Sequence, residues 1–235
     1  MIKVAILDDY QNVANNFVDW KQLKNKINIT VFNKYIGKDI DLAEQLREFE
    51  ILCLMRERTP LNKVLISQLP NLKLVITSGM WNASIDNDEL KKRNIILCGT
   101  DTEIHPTAEL TWALIMMGWR GLLKEIENMK NGKWQTSIGR SLKGKTLGVL
   151  GLGNQGLQVA KYGKAFGMEV IAWSHNLKKE LCNKNDIEYV ECLKLFEKSD
   201  VLSIHTRLSE RTHGFVNNDK LKLMKKKSFL VNTSR

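Results

Sequence analysis

The chain has 235 residues, of which 43% are hydrophobic and 26% charged, and its formal net charge is +10 at pH 7. This balance is typical of a globular protein and excludes a disordered chain, and the length suits one or two domains of about 150 residues each. The basic residues are mostly scattered lysines, so we expect no specific nucleic-acid partner. The four cysteines form no CxxC pair and no cluster with metal spacing, so we expect no metal site.

The first segment, Ile2–Leu7, reads as a β-strand that runs into two aspartates rather than as a signal peptide. The longest apolar run, near Leu110 to Trp119, is too short to cross a bilayer. We therefore expect a cytoplasmic protein without a membrane partner.

Strand and helix patterns alternate over the first hundred residues. Strands are predicted at Ile2–Leu7, Ile27–Phe32, Ile51–Met55, Leu72–Thr77 and Ile95–Cys98. Helices are predicted between them, for example at Leu42–Phe49 and Leu61–Leu69. This alternation predicts the α/β class, with a parallel sheet covered by helices on both faces and residues 1–100 as one domain. Cys53 and Cys98 lie in the apolar runs and are expected to be buried.

A long helical segment is predicted from about 106 to 131, followed by a linker over 132–143 and a second α/β unit that begins at Lys145. The segment from 101 to 235 would form the second domain. Its strands are predicted at Thr146–Leu150, Glu169–Trp173, Glu188–Val190, Val201–His205 and Phe229–Asn232. The apolar stripe of the long helix could line a cofactor, but packing in a core or subunit interface is the preferred interpretation.

Three glycines lie between the strand Thr146–Leu150 and the next helix, in the order Gly151, Gly153 and Gly156. In a strand–turn–helix context, the first glycine permits a tight turn, the second lets the backbone approach phosphates, and the third allows the helix to pack closely on the strand. Backbone N–H groups at such a helix N-terminus, at Asn154 and Gln155, bind anions. The segment predicts a dinucleotide site.

Nucleotide sites of this kind usually carry an acidic residue at the end of the second strand, which binds the ribose hydroxyls. Here that position holds Ser174, and His175, Lys178 and Lys179 follow it. No carboxylate would repel a 2′-phosphate, so the cofactor is predicted to be NAD with NADP possible. The lysines are equally consistent with a solvated helix start.

These segments resemble the D-isomer-specific 2-hydroxyacid dehydrogenases, and most closely the subgroup called phosphoglycerate-dehydrogenase-like. The segments that carry the resemblance are Gly144–Gly148, Gly151–Gly156, Ala165–Val170, Ser199–His205 and Phe229–Arg235, with weaker matches at Arg56–Pro60 and Thr107–Glu109. The resemblance implies a flavodoxin-like substrate domain and a Rossmann-type doubly wound nucleotide domain. It also implies a homodimer built around the long helix, and hydride transfer between nicotinamide and C2 of a small 2-hydroxy or 2-oxo acid.

The resemblance places the catalytic arginine at Arg235, where a guanidinium can hold both the carboxylate and the carbonyl that gains charge. It places the substrate carboxylate on the loop Ser78, Gly79 and Met80. Arg56 follows a strand whose carboxyl end lies at the same edge of the sheet. It either binds the substrate or forms a surface ion pair, and the two alternatives are equal.

The resemblance also assigns cofactor contacts. These fall on Thr107, His205, Thr206 and Thr233. Relatives often have a proline just after the position of His205, and this chain has Thr206-Arg207 instead. The family's proton-transferring histidine and its glutamate partner would lie beyond Arg235. We therefore expect an incomplete, C-terminally truncated nucleotide domain with an exposed last strand, not competent for turnover alone. The alternative function is a non-catalytic NAD(H)-sensing protein of the corepressor type.

Overall fold

The computed structural model of the protein describes residues 1–37 and 40–234. The chain divides into two compact units, Met1–Thr102 and Glu103–Arg235. Each unit has its own sheet and its own core of buried apolar side chains. No helix of the described part of the chain is both long and apolar enough to cross a bilayer.

The first unit is built around a five-stranded parallel sheet. Its strands are β1 (Ile2–Ile6), β2 (Ile27–Val31), β3 (Ile51–Leu54), β4 (Leu74–Thr77) and β5 (Ile96–Gly99). They lie in the order β2-β1-β3-β4-β5, which is the flavodoxin-like order with a switch point between β1 and β3. Both the α/β class and the parallel sheet are confirmed.

Four short helices connect these strands. They are α1 (Ala14–Phe17), α2 (Ile40–Leu46), α3 (Lys63–Ser67) and α4 (Asn87–Lys92), with a 3₁₀ turn at Trp20–Leu23. Among them, α1, the 3₁₀ turn and α4 were not predicted. Helix α4 begins with a cap in which Asp86 accepts the N–H of Glu89, and its six residues are too few to show an apolar stripe.

The expected burial of Cys98 is wrong, and that of Cys53 is only partial. Cys98 is exposed because it lies on β5, an edge strand whose residues are all exposed. Cys53 is half-buried on the internal strand β3, and desolvation by burial raises the pKa of its thiol to about 11.

The second unit begins with α5 (His105–Arg120) and α6 (Leu122–Lys130), which are two helices rather than the single predicted helix. Gly121 separates them because it ends α5 in the left-handed conformation, with φ of 68°. The apolar stripe on α5 packs in the core: Trp112 is buried, stacks on Phe166 and donates from Nε1 to the Val159 carbonyl at 3.1 Å.

The second sheet is also parallel and five-stranded. Its strands are β6 (Thr146–Leu150), β7 (Glu169–Trp173), β8 (Glu188–Tyr189), β9 (Val201–Ile204) and β10 (Phe229–Asn232). Their order, β10-β9-β6-β7-β8, matches five of the six strands in the Rossmann order 3-2-1-4-5-6. Helices α7 (Asn154–Ala165), α8 (Lys179–Lys184), α9 (Cys192–Lys198) and α10 (Asn218–Lys222) connect them. The predicted Rossmann-type sheet is confirmed.

Candidate functional site

The glycine turn after β6 lies at the carboxyl edge of the second sheet, where ligands of parallel sheets bind. Gly151 has φ of 100°, a backbone conformation that is strained for any residue with a side chain. A Cβ at this position would also lie 2.8 Å from the carbonyl carbon of His205. Only glycine therefore lets the chain leave β6 so close to the strand beside it.

Gly153 serves a different purpose in the same turn. It precedes α7 with φ of −83° and ψ of −165°, which other residues also adopt, and a Cβ built there would find no atom within 4 Å. The space on this side of the backbone is open to a ligand. No side chain caps the helix here, so the N–H groups of the first turn, starting at Asn154 and Gln155, are free to bind an anion.

Gly156 lies on the face of α7 that packs against the turn. A Cβ at this position would collide with the Gly151 carbonyl oxygen, so the helix and the strand can approach this closely only with glycine. The three glycines thus have separate physical requirements: a left-handed turn, an open approach and a close packing contact. A dinucleotide pyrophosphate fits these requirements, with its charge at the N-terminus of a twelve-residue helix.

The end of β7 carries aromatic and basic groups rather than a carboxylate. Trp173 stacks on Phe215 with ring centroids 5.3 Å apart, and His175 packs against both rings at 4.9 and 5.0 Å. Ser174 is half-buried beside this cluster and its carbonyl accepts the N–H of Leu177 at 3.1 Å. Ser174, which the sequence predicts at the ribose position, therefore offers a neutral hydroxyl and no carboxylate there.

His205 and Thr206 lie next to the glycine turn. The His205 backbone N–H donates to the Leu150 carbonyl at 2.7 Å, and its ring Nε2 is 2.7 Å from the Ser203 hydroxyl. Desolvation by burial lowers the pKa of the His205 imidazole to about 4, so the ring is neutral at physiological pH. Thr206 lines a cavity of about 250 Å³ between this loop and the end of β10. The neutral His205 ring thus lies beside the turn, and its predicted contact with the cofactor stays a prediction.

Thr107 and Thr233 are brought together by a residue that the sequence did not indicate, Thr111. The buried Thr111 hydroxyl donates to the Thr107 carbonyl at 2.8 Å and lies 2.8 Å from the Thr233 hydroxyl. A threonine within the apolar stripe of α5 was the available signal, because a buried hydroxyl requires a polar partner. The contact fixes the residue that follows β10 against α5.

In the first unit, the structure brings Arg56 and the loop after β4 together. Arg56 has φ of 53°, and its backbone N–H donates to the Ser78 hydroxyl at 3.0 Å. Its guanidinium lies over Gly79, where a Cβ would be 2.6 Å from Arg56 Nη1. Gly79 itself has φ of 95°. The guanidinium and the loop backbone therefore form one continuous rim at the carboxyl ends of β3 and β4.

The backbone donors of this rim are partly engaged. The Ser78 N–H donates to the Leu54 carbonyl at 3.0 Å, and the Gly79 N–H donates to the Thr100 hydroxyl at 3.0 Å. A substrate carboxylate would compete with Thr100 for the Gly79 N–H. Met80 is exposed at the tip of the loop.

Asn82 is a second residue that the sequence did not indicate. It is buried, and its amide nitrogen donates to the Arg56 carbonyl at 2.6 Å and to the Thr77 hydroxyl at 2.9 Å. Its amide oxygen accepts the N–H and the hydroxyl of Ser84 at 2.9 and 2.7 Å. One side chain thereby holds the left-handed Arg56 in place. The predicted catalytic Arg235 lies outside the described residues.

The comparisons with known proteins agree with this fold. The model of the D-isomer specific 2-hydroxyacid dehydrogenase, NAD binding domain, matches residues 112–235. A glyoxylate reductase of Aeropyrum pernix is 34% identical over 91% of this chain and 67% of its own length. A hydroxypyruvate reductase of Thermotoga maritima is 33% identical over 91% of this chain and 69% of its own length.

A solved structure, that of a phosphoglycerate oxidoreductase from Vibrio cholerae, superposes with a TM-score of 0.93 and is 37% identical. It covers 100% of this chain, which spans 76% of that protein. The chain belongs to the D-isomer-specific 2-hydroxyacid dehydrogenase family. The predicted family, the oxidoreductase class and NAD as cofactor are thereby confirmed.

Proposed function

We propose that this chain binds NAD(H) through its second unit and a small 2-oxo or 2-hydroxy acid through its first unit, for reversible hydride transfer at C2 of the acid. The main support for this proposal is the turn Gly151–Gly156, in which each glycine meets a separate requirement of a pyrophosphate site. The names of the relatives, glyoxylate reductase and hydroxypyruvate reductase, support a small 2-oxo acid as the substrate.

Each group has a defined role in this proposal. The first-turn N–H groups of α7 hold the pyrophosphate, and the bound nicotinamide supplies or accepts the hydride. The Arg56 guanidinium and the Gly79 N–H hold the substrate carboxylate, and Arg235 polarises its C2 carbonyl. The His205 ring is neutral at physiological pH, because burial lowers its pKa to about 4, and it has no assigned role in proton transfer in this proposal.

We propose that the site also accepts NADP(H). The support is Ser174 at the ribose position, with the exposed His175 beside it and no negative charge on either side chain. A carboxylate would repel a 2′-phosphate, whereas a serine hydroxyl can donate to it. Calorimetric titration with both cofactors tests this: we expect similar dissociation constants, and a preference for NAD of a hundredfold or more would contradict it.

We further propose a homodimer and a reducing, cytoplasmic location. Apolar side chains are exposed on α5, α6 and the segment that follows, and such a patch is typical of a protein interface. They are Leu110, Leu123, Ile126, Met129, Trp134 and Ile138. All four cysteines are free, which is consistent with a reducing compartment. Sedimentation equilibrium should give twice the chain mass, and Ile126→Glu should give the monomer mass.

The functional proposal is tested by titrating the full chain with NADH and following the nicotinamide fluorescence. We expect saturable binding, and we expect glyoxylate or oxalate to bind more tightly to the NADH-loaded chain than to the free chain. Arg56→Gln should remove this acid binding while leaving NADH binding unchanged. A folded chain that ignores NADH at millimolar concentration would contradict the proposal. NADH binding without any binding of either acid would favour the NAD(H)-sensing alternative.

A further inference from the structure

Thr111, Thr107 and Thr233 form a hydrogen-bond chain with a definite direction. A threonine hydroxyl has a single hydrogen and two acceptor lone pairs, and a carbonyl oxygen can only accept. The Thr111 hydroxyl donates its hydrogen to the Thr107 carbonyl at 2.8 Å. The 2.8 Å contact between Thr111 and Thr233 must therefore be donated by Thr233. The Thr233 hydroxyl has then used its own hydrogen and offers only acceptor lone pairs to other partners.

Neighbouring contacts hold the three hydrogen-bonded threonines in place. Thr111 has no exposed surface, and its neighbour Trp112 anchors α5 to the Val159 carbonyl of α7. On the other side, the hydroxyl of Ser234 donates to the Ile204 carbonyl at 2.9 Å, which fixes the chain just after Thr233 to β9. Thr233 itself is only half-buried, so part of this residue is accessible to a ligand.

The topology places Thr233 at the nicotinamide end of the proposed dinucleotide. The pyrophosphate position lies after the central strand β6, and the adenine ribose position lies after β7. The second nucleotide of the cofactor must then extend to the opposite side of β6, over the ends of β9 and β10. Thr233 directly follows β10. The nicotinamide carboxamide is the part of that nucleotide that can donate through N–H groups.

We propose that Thr111 is a positioning residue for the cofactor: it holds the Thr233 hydroxyl as a fixed hydrogen-bond acceptor for the carboxamide N–H of nicotinamide. The inference rests on the proposed function, because it requires a nicotinamide dinucleotide across the second sheet. It assigns to a buried residue of α5 a role in discriminating nicotinamide from analogues that lack the N–H donor.

Thr111→Val is the direct test, because valine keeps the shape of threonine and removes only the hydroxyl. Released from Thr111, the Thr233 hydroxyl can rotate and donate as well as accept. The ligands are NAD⁺, its 3-acetylpyridine analogue, in which a methyl group replaces the carboxamide nitrogen, and ADP-ribose, which lacks the ring. Isothermal titration of the full chain gives the three dissociation constants for the parent chain, Thr111→Val, Thr111→Ser and Thr233→Val.

We expect the parent chain to bind NAD⁺ about fivefold or more tightly than the acetylpyridine analogue, as one neutral hydrogen bond provides. Thr111→Val should weaken NAD⁺ binding by about two- to fivefold. The ratio between the dissociation constants of the analogue and of NAD⁺ should therefore decrease, whereas the dissociation constant of ADP-ribose should not change. Thr233→Val should abolish the preference. Thr111→Ser keeps a hydroxyl at position 111 and should therefore retain the parent chain's preference for NAD⁺ over the analogue. This variant also tests the inference if Thr111→Val does not fold.

Two results would overturn the inference while leaving the proposed function intact. One is a Thr111→Val protein that binds NAD⁺ and the analogue with the same ratio as the parent chain. The other is an equal loss of NAD⁺ and ADP-ribose binding, which would indicate a merely structural role for Thr111. If the parent chain binds neither NAD⁺ nor ADP-ribose, the proposed function fails and the inference with it.

Discussion

Gly153→Ala is expected to separate nucleotide binding from folding. The backbone at Gly153 has φ of −83° and ψ of −165°, which alanine adopts without strain, and the added Cβ would have no protein atom within 4 Å. Alanine restricts the unfolded chain but is a poorer residue than glycine before a helix. These two effects oppose each other, so the free energy of unfolding should change by less than about 1 kcal/mol.

The effect on binding should be much larger, because the methyl group would occupy the open space in which the phosphates approach the backbone. A hydrogen bond from a backbone N–H to a charged group contributes about 1.5–3 kcal/mol. Losing one such bond weakens binding by about 10- to 150-fold, since 1.4 kcal/mol corresponds to a factor of ten. The dissociation constant of NADH should therefore rise by at least about tenfold.

The assay is NADH fluorescence titration, with urea unfolding of the same samples. Lys161→Ala is the matched control, since Lys161 is exposed on the same helix but lies beyond its first turn. The control should bind NADH like the parent chain. The reasoning would be refuted by a stable Gly153→Ala protein whose NADH affinity equals that of the control.

The other predictions concern stability and can be checked by urea unfolding. Gly156→Ala should lose about 1–3 kcal/mol, because its Cβ would collide with the Gly151 carbonyl oxygen; an unchanged midpoint would contradict the packing role. Gly121→Ala should lose about 1–2 kcal/mol, because φ is 68° there; a more stable variant would mean that α5 and α6 can join. The pKa of His205 is lowered from 6.5 to about 4, so between these values the unfolded chain binds more protons and stability falls as the pH falls. This loss should be roughly 2 kcal/mol between about pH 7 and pH 5, and it should be absent in His205→Gln; equal pH dependence in both proteins would count against the burial of a neutral imidazole.

The sequence predicted the parallel sheets because apolar runs bounded by turn residues mark internal strands clearly. Of the ten strands in the described residues, nine are four or five residues long, and every predicted strand end lies within two residues of the end in the structure. The one long helix was wrong because a helical apolar pattern continues across Gly121, and only the backbone geometry shows that this glycine is left-handed. Cys98 was misplaced because an apolar run does not distinguish an edge strand from an internal one.

The glycine turn was interpretable from the sequence because backbone approach depends on the absence of a side chain, and that absence is visible in the residue names. Thr111 and Asn82 were not found because their roles depend on partners that are distant in the chain. Thr111 contacts Thr233 across 122 positions, and Asn82 contacts Arg56 across 26. Such pairs follow from the strand order, which brings together loops that the sequence keeps apart.

A crystal structure of the full chain grown with NADH tests the central claim most directly. We predict that the pyrophosphate lies within hydrogen-bond distance of the N–H groups at the start of α7, beside Gly153, and that the nicotinamide ring lies on the side of β10, next to Thr233. A dinucleotide bound at any other surface, with the turn Gly151–Gly156 free of it, would contradict the account.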